Sequence, residues 1–492
     1  MVNMLSPQGY DFKKIVFGKA DAYKEVRTPE LLLDGYLDAY GYIDSLIDGD
    51  VYYVFGQKGS GKSAIGSKIE LISKTEKKIF AKTYDLEQFD YPGFGGVIPG
   101  HEETTKKNLS TWEFLIALKL IEHYDISAVE VKDPNIKIKN IKKGLESMGL
   151  IPSKGFNGII DKMKHRAFKV NVMDSGVEVS PENRINPSDI QRMVSNVINA
   201  MYNVSPVKKH IIIIDGLDGT LGRRSVEYEV LSSLINATNI INNRFFEEGI
   251  NAKVIVLCRN DVMDKLKGTN KNKYIQDSGI MLDWYQDVAE LRNTNLNKLI
   301  NLRAKVSLNA EVSVIDEFFP LVITTGNTKK DTLKYLLEHT RHTPRDFIEL
   351  MNYIQKVSYQ HGATTESIKN GIRKYSENYF VGEIKDGLEG FLSGEEIESI
   401  FMAIRRVGHI SMTVQELADE LAIDQKDVSR MLEALYDAGA IFNVNPSNGH
   451  LTSKFRNRYS SFDSRQQIRI HSGLVKAFSL APTNVDGKDE MD

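Results

Sequence analysis

"DVYYVFGQKGSGKSAIGSKIELISK", residues 50–74, decides how the rest of the chain is read. Its β-branched and aromatic opening predicts a buried parallel strand, and its closing third carries apolar residues at helical spacing. Between them "GQKGSGKS", residues 56–63, sets Gly, Gly, Lys and Ser at the offsets of a phosphate-binding loop. Glycines at 56, 59 and 61 let successive backbone N–H groups turn inward, and the helix N-terminus adds partial positive charge. Lys62 is then placed for the β- and γ-phosphates of a nucleotide, and the Ser63 hydroxyl for Mg2+. Lys58, Ser60 and Ala64 complete the residues expected around the bound nucleotide.

A phosphate cradle that supports hydrolysis needs a carboxylate at the end of another buried strand. "KKHIIIIDGLDG", residues 208–219, supplies it: four isoleucines run into Asp215, the pattern of a strand covered on both faces. Ligands bind at the carboxyl ends of such strands, so Asp215 is expected to share the Mg2+ with Ser63. Asp218, across a Gly-Leu turn, either orients the attacking water or caps the following helix. A third strand, "AKVIVLCRND" at 252–261, ends beside Arg259. That guanidinium either stabilises charge on the transferred phosphoryl group or pairs with Asp261 or Asp264.

These three segments resemble the signal-transduction ATPases with numerous domains, the class that includes the NACHT and KAP groups. Further stretches, "FKKIVFGKADAYKE", Lys58 before "GSGKS", "SGIMLDWY" and "RHTPRDF", look like a widespread family of bacterial P-loop ATPases often encoded near restriction and anti-phage genes. The resemblance spans residues 11 to about 440, with sparse motifs. It implies a Mg2+-dependent ATP hydrolase with a helical lid. The chain departs from the NACHT pattern in having Gly219 where an acid is usual, and in the long gap from Lys62 to Asp215. Gly216 stands where typical AAA+ segments carry a glutamate, which argues against a standard AAA+ motor.

With 492 residues and ordinary globular composition, several domains are expected. The fold expected is α/β: a P-loop NTPase core with a parallel sheet over 1–285, a helical lid over 286–390, a winged helix-turn-helix domain over 391–480 and a disordered tail over 481–492. The net charge is −3, which gives no whole-chain signal for nucleic acid. Locally, residues 131–170 hold ten Lys or Arg against three acids, within a basic insertion expected at about 125–190. It reads as a Lys-rich solvated face or as a track for a DNA backbone. "LSTWEFLIALKLIEHY" predicts a helix capped by Ser110 or Thr111, and "FKVNVMDSGVEVS" a hairpin turning at Asp174-Ser175-Gly176. In the lid, Thr343 and Pro344 start a helix with Arg345 in its first turn and Arg341 just before it. Either arginine is placed to report the γ-phosphate, or to pair with Asp346 or Glu349.

Residues 395–470 read as three short helices and a hairpin, "AIFNV" to "LTSKF", with Asn448-Gly449 suited to a type I′ turn. Such a domain binds either DNA or protein. The lone Cys258 reads as a buried strand residue, and with no apolar leader a cytoplasmic protein without membrane contact is expected. Two functions stay open. One is an ATP-hydrolysing switch in bacterial defence, gating a separately encoded effector, double-stranded DNA or both. The other is a DNA-binding regulator or loader in which ATP is mainly structural. A homo-oligomer is expected, with Arg223, Arg224 or Arg244 placed to reach a neighbour's nucleotide.

Overall fold

The isoleucines before Asp215 leave no polar face, and a strand of that kind needs cover on both sides. A computed structural model places it inside a parallel sheet. The structure describes residues 9–95, 97, 104–124, 129–131, 137–165, 169–173, 176–180, 187–202, 204–206, 208–217, 225–266, 271–326 and 328–481. Five strands form the sheet: β1 (Tyr53–Gly56), β2 (Ile79–Asp85), β3 (Lys209–Asp215), β4 (Ala252–Arg259) and β5 (Gly279–Leu282). Their order is β2-β3-β4-β1-β5, and every neighbouring pair is parallel. Burial follows position: β3 and β4 are buried almost end to end, whereas the edge strands β2 and β5 are part-exposed. The expected α/β class and parallel sheet hold, and the glycine-rich loop leads from β1 into helix α1 (Lys62–Thr75).

Two compact units divide the chain: Tyr40–Gly56 with Lys62–Leu282, the sheet unit, and Met1–Ala39 with Gln57–Gly61 and Asp283–Asp492, the helical unit. The residues before Tyr40, expected in the core domain, thus group with the helical unit instead. The cause is apolar: the Phe12 ring packs against Phe318 and Phe319, with centroids 5.3 and 5.5 Å apart. Arg303 also donates to buried Glu25 at 2.8 Å.

In the sheet unit, helix α2 (Thr104–His123) begins earlier than expected, so Ser110 and Thr111 lie inside it rather than at its cap. Thr111 Oγ1 turns back to the Lys107 carbonyl at 2.8 Å, the bond a hydroxyl makes in a helix interior. Buried Trp112 stacks on Phe89 at 5.1 Å and donates its indole N–H to the Val230 carbonyl in helix α3 (Ser225–Glu247). The insertion has its own helices, Lys137–Ser147 and Asn157–His165, and its apolar side joins the same core through Ile138, Ile141, Leu145, Ile159 and Ile160. Strands Lys169–Met173 and Gly176–Ser180 pair as the expected hairpin, while Asp174 and Ser175 lie outside the described residues.

The helical unit is built on α4 (Asn295–Leu308), α5 (Pro344–Val357), α6 (Thr365–Tyr375), α7 (Val381–Leu388), α8 (Gly394–Val407), α9 (Val414–Leu421), α10 (Gln425–Asp437) and α11 (Ser472–Phe478). Thr343 caps α5 as expected, accepting the Asp346 N–H at 3.2 Å, with Pro344 at the first helical position. A short antiparallel pair, Val322–Thr325 with Thr328–Asp331, interrupts the stretch expected to be wholly helical. After α8, α9 and α10 come strands β7 (Ile441–Val444) and β8 (Leu451–Thr452). With β6 (Ser411–Met412) and β9 (Gln467–Ile470) they make a sheet in the order β6-β9-β7-β8. The β7–β8 turn is not type I′: Gly449 has φ +68° but Asn448 is not left-handed, and the Asn445 and His450 backbones bond across a longer loop. The tail from 482 lies outside the described residues.

Candidate nucleotide site

Gly59 and Gly61 take φ of +85° and +96°, the left-handed turn that a phosphate loop requires of its glycines. A Cβ on Gly61 meets nothing within 4 Å, so the backbone there faces open space. On Gly59 it meets Thr343 Oγ1 at 3.1 Å, so the helical unit also holds this position to glycine. Buried Ser60 has an Oγ with no hydrogen-bond partner, while its carbonyl accepts the Trp284 indole N–H at 2.8 Å. In the sheet unit, Lys62 starts α1 and its Nζ donates to the Gly56 carbonyl at 3.1 Å, folding the side chain back along the end of β1. Ser63 and Ala64 follow in the first turn, both part-exposed.

Asp215 ends β3, buried, with Oδ1 accepting the N–H of Gly216 at 2.8 Å. Its register partner on β2 is Asp85, so two acids end adjacent strands. Asp85 was not anticipated; its signal was the acid closing "IFAKTYD" at the carboxyl end of an alternating strand. Gly216 has φ +74°, and a Cβ there lies 1.8 Å from Asp85 Oδ1, which explains physically why no acid follows Asp215. Asp218, with Arg223 and Arg224, lies outside the described residues.

Arg259 ends β4 in register with Gly56 of β1, and its guanidinium forks onto Asp261 at 2.9 and 2.5 Å. Burial pushes the Asp261 carboxyl up, yet Arg259, helped by Lys62 and Lys265, brings it below its usual value. Arg244 pairs with Glu248 at 2.7 Å and also reaches Asn199. Cys258 is buried in β4. The open backbone at Gly61 and the orphaned Ser60 hydroxyl fit a nucleotide's phosphates, and Ser63 with Asp215 is a donor pair suited to Mg2+, a hard cation that keeps waters and phosphate oxygens as its other ligands. Among the described residues, no cluster of three or more His, Cys, Asp or Glu forms a metal site.

In the helical unit Lys58 Nζ lies 3.6 Å from Glu383 and 3.7 Å from Asp386. Burial lowers its ammonium pKa, against the opposing pull of those acids. The Arg345 N–H donates to the Gly59 carbonyl at 3.3 Å, and its guanidinium lies 3.6 Å from Glu383. Arg341 is committed elsewhere: it forks onto fully buried Asp346 with two bonds of 2.8 Å. The pairing with Asp346 that the sequence allowed for is therefore a core interaction rather than a surface one. Trp284 lies in the "SGIMLDWY" stretch noted above but drew no site role from it, and Glu383 went unnoticed, because nothing local in "VGEIKD" points to the loop.

Residues 294–381 match the family described as the FunZ-associated C-terminal helical domain. Comparison with curated protein sequences returns no match. Among solved structures, the chain is similar to the Aeropyrum pernix ORC1 protein in complex with DNA, at 10% identity and TM-score 0.41, covering 93% of this chain and 96% of that one. It is also similar to the Thermotoga maritima RuvB Holliday junction branch migration motor, at 12% identity and TM-score 0.29, covering 91% and 96%. A third likeness is to Cdc6p from Pyrobaculum aerophilum, at 10% and 0.31, covering 94% and 97%. The architecture described above rests on the strand order and the loop, and these likenesses add no residue correspondence. No helix among the described residues is long and apolar enough to cross a membrane.

Proposed function

We propose that the chain is a Mg2+-dependent ATPase that works as a nucleotide-gated switch. The observation that carries this reading is the loop itself: two left-handed glycines, an inward-folded Lys62 and, two strands away in the sheet, Asp215 at a strand end. Gly56, Lys58, Gly59, Ser60, Gly61, Lys62, Ser63, Ala64 and Arg345 hold the nucleotide, and Ser63 and Asp215 hold Mg2+. When bound, the metal neutralises developing charge on the phosphates. Arg259 supplies a cation to the transferred group after leaving Asp261, and Asp218 orients the attacking water. The resemblance of its motifs to bacterial ATPases often encoded near anti-phage genes supports a role in defence, and with it we infer a separately encoded effector and a homo-oligomeric assembly.

A DNA-binding reading, in which nucleotide is chiefly structural, is favoured by the hairpin region. α8, α9, α10 and the β7–β8 hairpin follow a winged-helix order, and beyond it Tyr459 is 80% exposed with the Arg458 guanidinium over its ring. Arg430 on α10 is tied to Glu396 and Arg465 to Asp463, which weakens direct base reading. One experiment separates the two: ATP turnover by the parent, Lys62→Ala and Asp215→Ala, with and without double-stranded DNA. Turnover lost in both variants supports the switch, and DNA stimulation identifies its trigger. No turnover in the parent, with DNA binding intact in Lys62→Ala, sinks the switch reading.

A further inference from the structure

We propose that Glu383 competes with the terminal phosphate of the nucleotide for Lys58 and Arg345, and so makes the site respond to triphosphate over diphosphate. The inference rests on reading the loop as a nucleotide site. Its basis is a single atom: Glu383 Oε2 lies 3.6 Å from Lys58 Nζ, 3.6 Å from Arg341 Nη2 and 3.6 Å from Arg345 Nη1. That oxygen is buried and makes no hydrogen bond, so three cations surround a carboxylate that none of them grips. Charge is balanced there while hydrogen bonding is left undone, an arrangement that a better anion displaces.

Of the three cations, Arg341 is held by Asp346, which also accepts the Arg341 N–H at 3.1 Å and the Tyr379 hydroxyl at 3.2 Å. Arg341 is fixed background charge. Lys58 and Arg345 are the movable pair, and both are rooted at the loop: Lys58 lies within it, and the Arg345 N–H bonds to the Gly59 carbonyl. A γ-phosphate brings about two charges and three acceptor oxygens where Glu383 brings one charge. It therefore draws the two side chains off the glutamate, and after hydrolysis the glutamate takes them back. Glu383 follows directly on a π-helical turn, Ser376–Phe380, through which α6 runs into α7, the kind of helix irregularity found at functional sites. Asp386, one turn on, is 59% exposed in its side chain and gives Lys58 a second, looser partner.

The test compares binding of a slowly hydrolysed ATP analogue and of ADP, each with Mg2+, to the parent and to Glu383→Gln. Removing the competing charge is expected to tighten the triphosphate about tenfold and to leave ADP within about twofold. Equal changes for both nucleotides, or none in a folded variant, overturn the proposal and leave Glu383 as a structural ion pair. If the variant does not fold, hydrogen exchange on the parent decides: residues 381–388 exchange faster with triphosphate than with diphosphate if the glutamate is released, and identically if the proposal is wrong. Lys62→Ala is the separate control on the site. Should it bind nucleotide as tightly as the parent, the loop reading itself fails, whatever Glu383 does.

Discussion

Two arginine–aspartate forks sit in different regions of this molecule and do different work. At the end of β4, Arg259 and Asp261 are two residues apart, with side chains 15% and 30% exposed. At the start of α5, Arg341 and Asp346 are 7% and 0% exposed, and Asp346 collects two guanidinium bonds, a backbone N–H and a tyrosine hydroxyl. The strand-end pair keeps partial solvent contact and can open at lower cost, because water takes over in part from either partner. The helical pair cannot, since removing one member strands a charge away from water. The strand-end fork is thus the looser of the two, while the helical unit uses similar charges as core structure.

The comparison breaks most visibly by deleting each arginine. Arg341→Met leaves Asp346 buried without its cation and is expected to cost about 3–5 kcal/mol, read as a lower denaturant midpoint. Arg259→Met is expected to cost less than Arg341→Met, because Asp261 is part-exposed where Asp346 is not, yet to slow ATP turnover about a hundredfold. If both variants lose stability equally, the distinction between the two regions is wrong.

Acid sharpens it next. His471 is fully buried in the helical unit, where its Nδ1 accepts the Gly473 N–H at 3.1 Å and its Nε2 therefore donates to the Thr340 carbonyl at 3.1 Å. The Gly473 bond needs the neutral ring, since a protonated Nδ1 cannot accept, and burial holds the pKa down to about 3. The unfolded chain binds that proton near pH 6.5 and the folded chain does not, so stability is full above about 6.5 and falls as pH drops toward 3. By pH 4.5 the loss is about 2–3 kcal/mol. Thermal unfolding across pH 4.5–7.5 checks this, and His471→Asn, which keeps an N-cap acceptor without the titration, is expected to remove the His471 share of that slope and leave that of His342, which burial also holds down to about 3.

Local pattern made the sheet legible, and long-range pairing hid the rest. The apolar runs before Asp215 and Arg259 revealed interior strands because a strand covered on both faces carries no alternation. Thr343 and Pro344 announced α5 because a cap is chemistry within four residues. The packing of Phe12 with Phe318, and the approach of Glu383 to Lys58, join segments distant in sequence, and neither partner differs locally from an ordinary core phenylalanine or surface glutamate. The Val322–Asp331 hairpin escaped notice because "VITTGNTKKD" has a turn signal but too little apolar alternation to announce two strands.

The smallest effect sits where the sheet region bends the usual pattern, at Gly216. Three things keep it glycine: a left-handed backbone at φ +74°, an Asp85 carboxylate oxygen that would lie 1.8 Å from any Cβ, and the Glu87 backbone nitrogen at 2.9 Å. Gly216→Ala is expected to cost about 1–3 kcal/mol, shared between the backbone conformation and the two contacts. The terms separate in a double variant. Asp85→Ala removes the carboxylate but neither the backbone preference nor the Glu87 nitrogen, so Gly216→Ala made in that background should cost less, but still about 1–2 kcal/mol. If the cost is unchanged, Asp85 yields easily and does not dictate the glycine. If it shrinks as expected, the acid at the end of β2 supplies the movable part of the barrier to a side chain after Asp215, and the Glu87 backbone and the left-handed φ supply the rest.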